Sequence, residues 1–307
     1  MILSLRAAEP PRSMRDIAEP RIQHQPALGN RSRHTDATPR PVGTMTTSTD
    51  APAQTGRLII NADDWGRTAD TTDRILACAL QKRVSAVSAM VFMEDSERAA
   101  RTARTHGLDA GLHLNFTSAF SDPGVPAEIV RLQARLIAYL RGHRLAQTVY
   151  HPGLAGAFAR VVQAQREEFT RLYGTAPRRY DGHNHMHLCA NVLVRGLLPA
   201  GAMVRRNFSF QPGEKGLLNR LYRRAVDALL ARRHRLTDYF FSLPPLTPPA
   251  RLTRIFGLAA AQVVEVETHP VNPEEFTFLT EGEALRYAGH VPIASHYDIP
   301  QRPPRSR

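Results

Sequence analysis

The chain has 307 residues, with 40 Lys+Arg against 28 Asp+Glu for a formal net charge of +12, and 42% apolar against 22% charged residues. That composition excludes a disordered or collagen-like chain. The two cysteines, Cys78 and Cys189, exclude a disulfide framework and a four-cysteine zinc site, and no apolar run reaches the ~18–20 residues that span a bilayer.

Only Lys82 and Lys215 are lysines, so arginine carries the basic charge. A skew this strong fits codon usage in a GC-rich genome better than a built nucleic-acid surface. From Glu9 to Thr55 the chain is dense in Pro, Arg, Ser and Thr and lacks apolar periodicity. Such a stretch cannot offset its ordering entropy, so residues 1–55 are expected to be a disordered extension. Met45 is an alternative start, and a basic tail is the functional alternative. Met1–Leu5 is shorter than the ~7–15 apolar residues of a secretory leader, which sets the expectation of a cytoplasmic protein.

From Arg57 onward strands and helices alternate. Leu58-Ile59-Ile60 is a continuously apolar run, as in a strand buried on both faces, and it ends in Asn61-Ala62-Asp63-Asp64. Asp70–Arg83 has a helical stripe of Ile75, Leu76, Ala79 and Leu80. Then follow a strand at Ser85–Met93, a helix at Ser96–His106 and a strand at Ala110–Leu114. Helices at Ala127–Arg141 and Leu154–Tyr173 precede a strand from Arg179 into His183, and another strand at Ala202–Val204. Leu217–Arg233 is a basic helix and Asp238–Ser242 a strand. Pro244-Pro245 and Pro248-Pro249 mark a loop. A strand at Gln262–Glu267, a helix near Gly282–Ala288 and a last strand at Val291–Ser295 complete residues 56–299, and 300–307 form a disordered tail.

Repeated strand–helix units imply a parallel sheet with right-handed crossovers. Some seven units in this length favour a closed or nearly closed (β/α) barrel over an open sheet, an α/β fold of TIM-like type with its functional groups at the C-terminal strand ends. Polar clusters fall at such ends: Asp63-Asp64, His113, His183 with His185 and His187, and His269. Adjacent carboxylates after a buried strand are costly unless something neutralises them, and a metal held with imidazoles from other strands would do so. The two aspartates point to different sides of the strand end. The histidines of Asp181–His187 share a face as a strand, and His183 and His187 share one as a helix; the flanks favour a strand leading into a loop. For His185 and His187 the simpler reading is a neutral, hydrogen-bonded structural histidine.

These residues carry a resemblance. Ile59-Ile60-Asn61-Ala62-Asp63-Asp64-Trp65-Gly66, Gly111-Leu112-His113-Leu114, Asp181–His187 and Glu267-Thr268-His269-Pro270 resemble, in order, the motifs of the YdjC-like carbohydrate deacetylases, which include chitooligosaccharide deacetylases. Trp65 stands where the family usually has Phe, and nothing before Arg57 matches. The resemblance implies a deacetylase-like barrel that hydrolyses an N-acetyl group on a sugar with one divalent metal, Mg2+ by family and Zn2+ by ligand softness. It implies Asp64, His113 and His183 as metal ligands, Asp63 as general base and His269 as general acid. The chemistry agrees, because a cation polarises an amide carbonyl and lowers the pKa of water, and a carboxylate and a histidine can move the two protons.

Three competing readings stay open at this point. One is a non-haem iron facial triad, which usually sits on antiparallel scaffolds. Another is a NodB-type polysaccharide deacetylase, whose Thr-Phe-Asp-Asp-Gly-Pro signature is absent here. The third is an inactive glycan-binding barrel. The helix with Arg220, Arg223, Arg224, Arg232, Arg233 and Arg235 and an apolar stripe of Leu218, Leu221, Ala225 and Leu229 has two readings: a solvated face, or contact with anionic membrane or a lipid-linked glycan. Cys189 reads as a small buried side chain.

Overall fold

The computed structural model describes residues 56–142, 145–210 and 214–296. The expected N-terminal extension and C-terminal tail lie outside these residues. In chain order the elements are β1 (Arg57–Trp65), α1 (Ala69–Leu80), β2 (Ala86–Ala89), α2 (Ser96–His106), β3 (Ala110–Leu114), α3 (Ala127–Gly142) and α4 (Ala155–Tyr173). They continue with β4 (Arg179–Gly182), α5 (Ala190–Val194), β5 (Met203–Val204), α6 (Leu217–Ala231), β6 (Tyr239–Ser242), α7 (Pro249–Leu258), β7 (Val263–Thr268), α8 (Pro273–Thr280) and α9 (Glu283–Ala288).

The strands form one parallel sheet in the order β5-β4-β3-β2-β1-β7-β6. β1 lies between β2 and β7 and is covered on both faces, which is why Leu58, Ile59 and Ile60 run without a polar break. The helices obey local chemistry. Thr68 caps α1 by accepting from the backbone of Thr71, and α2 and α4 stop at Gly107 and Gly174 in the left-handed region. α4 buries Phe158, Val161, Val162, Phe169 and Leu172.

The structure corrects the sequence-based expectations at four places. The loop expected at the prolines is present over 243–248, but at its end an unexpected helix begins: Pro249 is the first residue of α7, where its missing N–H costs nothing. α8, also led by a proline and carrying Glu274 and Glu275 in its first turn, was not expected. The last strand shrinks to one bridge, Ile293 with Leu58. β1 begins pairing with β2 only at Asn61, and on the edge left free below it Leu58 alone takes up the segment, donating to the Pro292 carbonyl and accepting from the Ala294 N–H. The barrel is also not closed by a ladder among the described residues. The edges at β5 and β6 meet through a single Met203–Arg235 bridge and a bond from the Ser209 N–H to the Phe240 carbonyl (2.8 Å). The fold is thus an α/β half-barrel, a curled seven-stranded sheet. No helix of the described residues is long and apolar enough to cross a membrane.

Candidate active site

The C-terminal ends of β1, β3, β4 and β7 carry the polar clusters, and the backbone of β1 sets how they meet. Its register with β2 shifts between Ala62 and Trp65, a bulge that contains both aspartates. Asp64 sits there at φ 68°, a left-handed conformation that Asp tolerates better than most residues. Bulges re-aim side chains, and here one sends Asp63 and Asp64 to different partners. Gly66 follows at φ 86°, where a side chain would be strained and would press on Met90 O and Ala99.

Asp64 Oδ1 lies 2.9 Å from His183 Nδ1 and 3.4 Å from His113 Nε2. One ligand atom from each of Asp64, His113 and His183 lies within 4.8 Å of the others. Asp64 Oδ2 accepts from Arg67 Nη1 at 2.8 Å. His113 is oriented from behind: its Nδ1 is 2.8 Å from Asp181 Oδ1, and Asp181 Oδ2 accepts from Ser88 Oγ (2.5 Å) and Arg179 Nη1 (2.7 Å). A Cβ at position 111 would fall 2.5 Å from the Arg179 guanidinium, so Gly111 makes room for that arginine.

Asp63 belongs to a second group. Arg205 grips it with two parallel bonds, Nη1 to Oδ2 at 2.6 Å and Nη2 to Oδ1 at 2.8 Å, while Arg205 Nε donates to Glu265 Oε1 at 2.8 Å. Glu267 Oε2 is 3.3 Å from the same guanidinium, whose plane also lies 4.8 Å from the Phe240 ring centroid. Arg205 was missed in the sequence. Its signal was a charged residue immediately after the apolar β5, camouflaged by the arginine-rich composition.

Burial and charge set the protonation of these groups. Burial alone would raise Asp63, but the Arg205 charge outweighs it and holds the carboxyl at about 2. Asp64 is likewise held well below the usual range, its burial overcome by hydrogen bonds to His113 and His183. For His113, burial is outweighed by Asp63 and Asp181, and its pKa rises to about 10. Glu267 moves the other way: burial and the neighbouring Asp63 charge hold it protonated well above the ordinary carboxyl range. Four ionised carboxylates (Asp63, Asp64, Asp181 and Glu265) therefore face two buried arginines, Arg179 and Arg205. The shortage of positive charge falls at Asp64 and His113, where a proton now resides. A cation suits that place: two imidazole nitrogens and one carboxylate are a common donor set for divalent transition metals, and such an ion competes with the histidine proton.

The three histidines after β4 do not share a face. A 3-10 segment at His183–Leu188, with Asn184 and His185 in the left-handed region, turns them apart. Asn184 Nδ2 donates to Thr117 Oγ1 and steadies the turn. His183 reaches Asp64. His185 packs edge-on to Phe208 with centroids 4.5 Å apart, and its Nε2 is 3.6 Å from Glu267. His187 is buried, and its Nε2 is 2.9 Å from the Arg205 carbonyl, to which it can only donate. Burial pushes both His185 and His187 down, the latter to about 4, so both are neutral at ordinary pH. His269 is half-buried just past Thr268, the last residue of β7 and the one registered with Ala62. Its backbone N–H donates to Glu275 Oε2, and its ring is not part of the Asp64–His113–His183 group. Cys189 is buried.

The family profile described as YdjC-like protein matches residues 57–288. A carbohydrate deacetylase of Mus musculus is 30% identical over 170 residues, which cover 52% of this chain and 52% of that protein. A chitooligosaccharide deacetylase of Proteus mirabilis is 31% identical over 133 residues, 43% of this chain and 50% of that protein. The chain spans about half the length of the curated relatives it matches. In fold it is similar to the solved structure of a proposed cellobiose-phosphate cleavage protein from Enterococcus faecalis V583, with a TM-score of 0.56 and 18% identity over 80% of this chain and 99% of that one.

Proposed function

The chain belongs to the YdjC-like family, and from that premise we propose that it is a metal-dependent hydrolase removing the acetyl group from an N-acetylated sugar, on an irregular barrel left open between β5 and β6. The substrate class is a chitooligosaccharide or a glycan- or glycolipid-linked N-acetylhexosamine. The observation that carries this reading is the convergence of Asp64, His113 and His183 within 4.8 Å beside an Asp63 clamped by Arg205.

In this mechanism Asp64, His113 and His183 hold one divalent ion, for which magnesium is suggested by resemblance and zinc by the softness of the donors. When bound, the ion supplies Lewis acidity for the amide carbonyl and for water. Asp63 accepts the proton of the attacking water, and Arg205 keeps that carboxylate ionised and fixed in orientation. Asp181 fixes the ring of His113, as carboxylates behind ligating histidines do. His269, just past the end of β7, gives a proton to the departing amine as the C–N bond breaks. His187 and Cys189 are structural.

The test is acetate release from N-acetylglucosamine oligomers by the purified chain, before and after chelation and with single divalent ions restored. Activity that chelation abolishes and one ion restores is the expected result. Activity indifferent to chelation removes the metal, and binding of the oligomers without acetate release by the metal-loaded protein leaves only a glycan-binding barrel.

A further inference from the structure

An ordinary surface helix turns its apolar stripe to the core and its charges to water. α6 is reversed. Its contacts with the body are made by Val226, Leu230 and Asp227, and the aspartate accepts from Arg206 and from the backbone and side chain of Asn207. The outer side carries Leu217 (62% exposed), Leu218 (83%), Leu221 (49%), Tyr222 (44%) and Leu229 (46%), with the exposed Ala225 and Ala228 between them. At 100° per residue these seven positions fill one arc of about 140° without a polar interruption.

Charge borders that arc on one side. Arg220 and Arg224 follow its edge and Arg232 closes its C-terminal end, and none of the three forms an ion pair among the described residues. From Lys215 to Arg235 there are seven basic residues and a single acid, Asp227, which is buried against Arg206. A second copy placed on this face would bring arginine against arginine with no exposed acid on the helix to offset it. An apolar exposed arc with an arginine border complements a surface that is apolar beneath and anionic on top.

We propose that α6 is an interfacial helix that docks the protein on an anionic lipid bilayer, inserting the Leu217–Leu229 arc among the acyl chains with Arg220, Arg224 and Arg232 at the phosphate level. The site lies on the same stretch of chain: Arg205, which holds Asp63, is joined to α6 through Arg206 and Asn207, both bound to Asp227. Docking needs no deacetylase activity, so the two readings stand or fall separately.

The full chain is sedimented with phosphatidylcholine vesicles with and without phosphatidylglycerol, at low and high salt. Binding to the anionic vesicles alone, weakened by salt, is expected. Leu218→Glu/Leu221→Glu should reduce it to the level of neutral vesicles, and Arg220→Gln and Arg224→Gln should each weaken it about fivefold. Leu218, Leu221 and Arg224 are exposed, so their variants should keep the wild-type melting temperature and acetate release from soluble oligomers; Arg220 is partly buried, and its variant is compared at matched melting temperature. The proposal is overturned if anionic vesicles do not carry the protein down at low salt, or if binding survives the leucine substitutions. It is equally overturned if the wild type forms a dimer that Leu218→Glu/Leu221→Glu dissolves.

Discussion

Asp63 and Asp64 are consecutive residues of β1 and end in opposite surroundings. Asp63 faces a buried guanidinium that meets both its oxygens, with Glu265 and Glu267 around the same arginine. Asp64 faces two imidazoles, and the arginine beside it is Arg67, whose side chain is 39% exposed at the rim. The first carboxylate has a permanent counter-charge built into the fold and is locked and ionised by it. The second has only an exchangeable one: a proton on His113, an arginine from the rim, or an ion. On the proposed function, the difference separates a carboxylate that stays where it is from one that would hold an exchangeable ion. The bulge at Ala62–Trp65 is what lets neighbouring residues take such different parts.

The comparison breaks most visibly if the roles are tested by deletion. Asp64→Ala should abolish both bound divalent metal and acetate release while the chain stays folded, since His113 and His183 retain Asp181 and solvent as partners. Metal content by elemental analysis and turnover on the same preparation check it, and retained metal would move the site elsewhere. Asp63→Asn should keep the metal and the fold but lose turnover by ~10²–10⁴-fold, the usual cost of a missing general base. Near-normal turnover with metal retained would reduce Asp63 to a structural partner of Arg205. Glu267→Gln is the informative control, because that carboxyl is already protonated and shares the same arginine.

The Asp63 side of the comparison is sharpened by Arg205→Met. It leaves Asp63 and Glu265 buried without their cation, and breaking such a group typically costs ~3–5 kcal/mol. Urea unfolding should register that loss. A midpoint close to wild type would mean that water enters and solvates the carboxylates, and the permanent counter-charge would not be permanent.

What could be seen beforehand follows from which forces are local. The apolar runs at Leu58–Ile60 and Ala110–Leu114 and the stripe of Asp70–Arg83 are written in neighbouring residues, and those elements appear with the expected bounds to within a few residues. The clustering of Asp63-Asp64, His113 and His183 at strand ends follows from strand placement alone. The bulge does not, since it depends on how β1 and β2 register across some 25 residues. Arg205 was hidden because an arginine among many has no local mark of being buried. For the histidines after β4 the spacing offers a shared face on a strand or on a helix and the flanks favour a strand leading into a loop, whereas the left-handed turn at Asn184 and His185 that parts them has no mark in the spacing. α6 shows the limit most sharply: amphipathicity tells that a helix has an apolar face, and only packing tells whether that face looks inward.

The smallest effect concerns Asp181, which belongs to both halves of the comparison. It holds His113 Nδ1 at 2.8 Å, pairs with Arg179 at 2.7 Å and lies 3.5 Å from Arg205. As a carboxylate it both orients the imidazole and enriches its other nitrogen in electron density, and removal of such a partner typically costs 10–100-fold in metal affinity or activity. Asp181→Asn keeps an oxygen to accept from Nδ1–H, so orientation survives while the charge is lost. Metal affinity should therefore fall within that range, and turnover at saturating metal should recover most of its wild-type value. Stability should fall as well, because Arg179 loses its buried counter-ion, so melting temperature alone does not discriminate. The deciding pair is metal titration beside Ser88→Ala, which removes the hydroxyl bond to the same carboxylate but leaves its charge. If both variants weaken metal equally, Asp181 acts only through its position. If Asp181→Asn weakens it markedly more, the negative charge behind His113 sets the affinity, and the exchangeable side of the site is tuned by the permanent one.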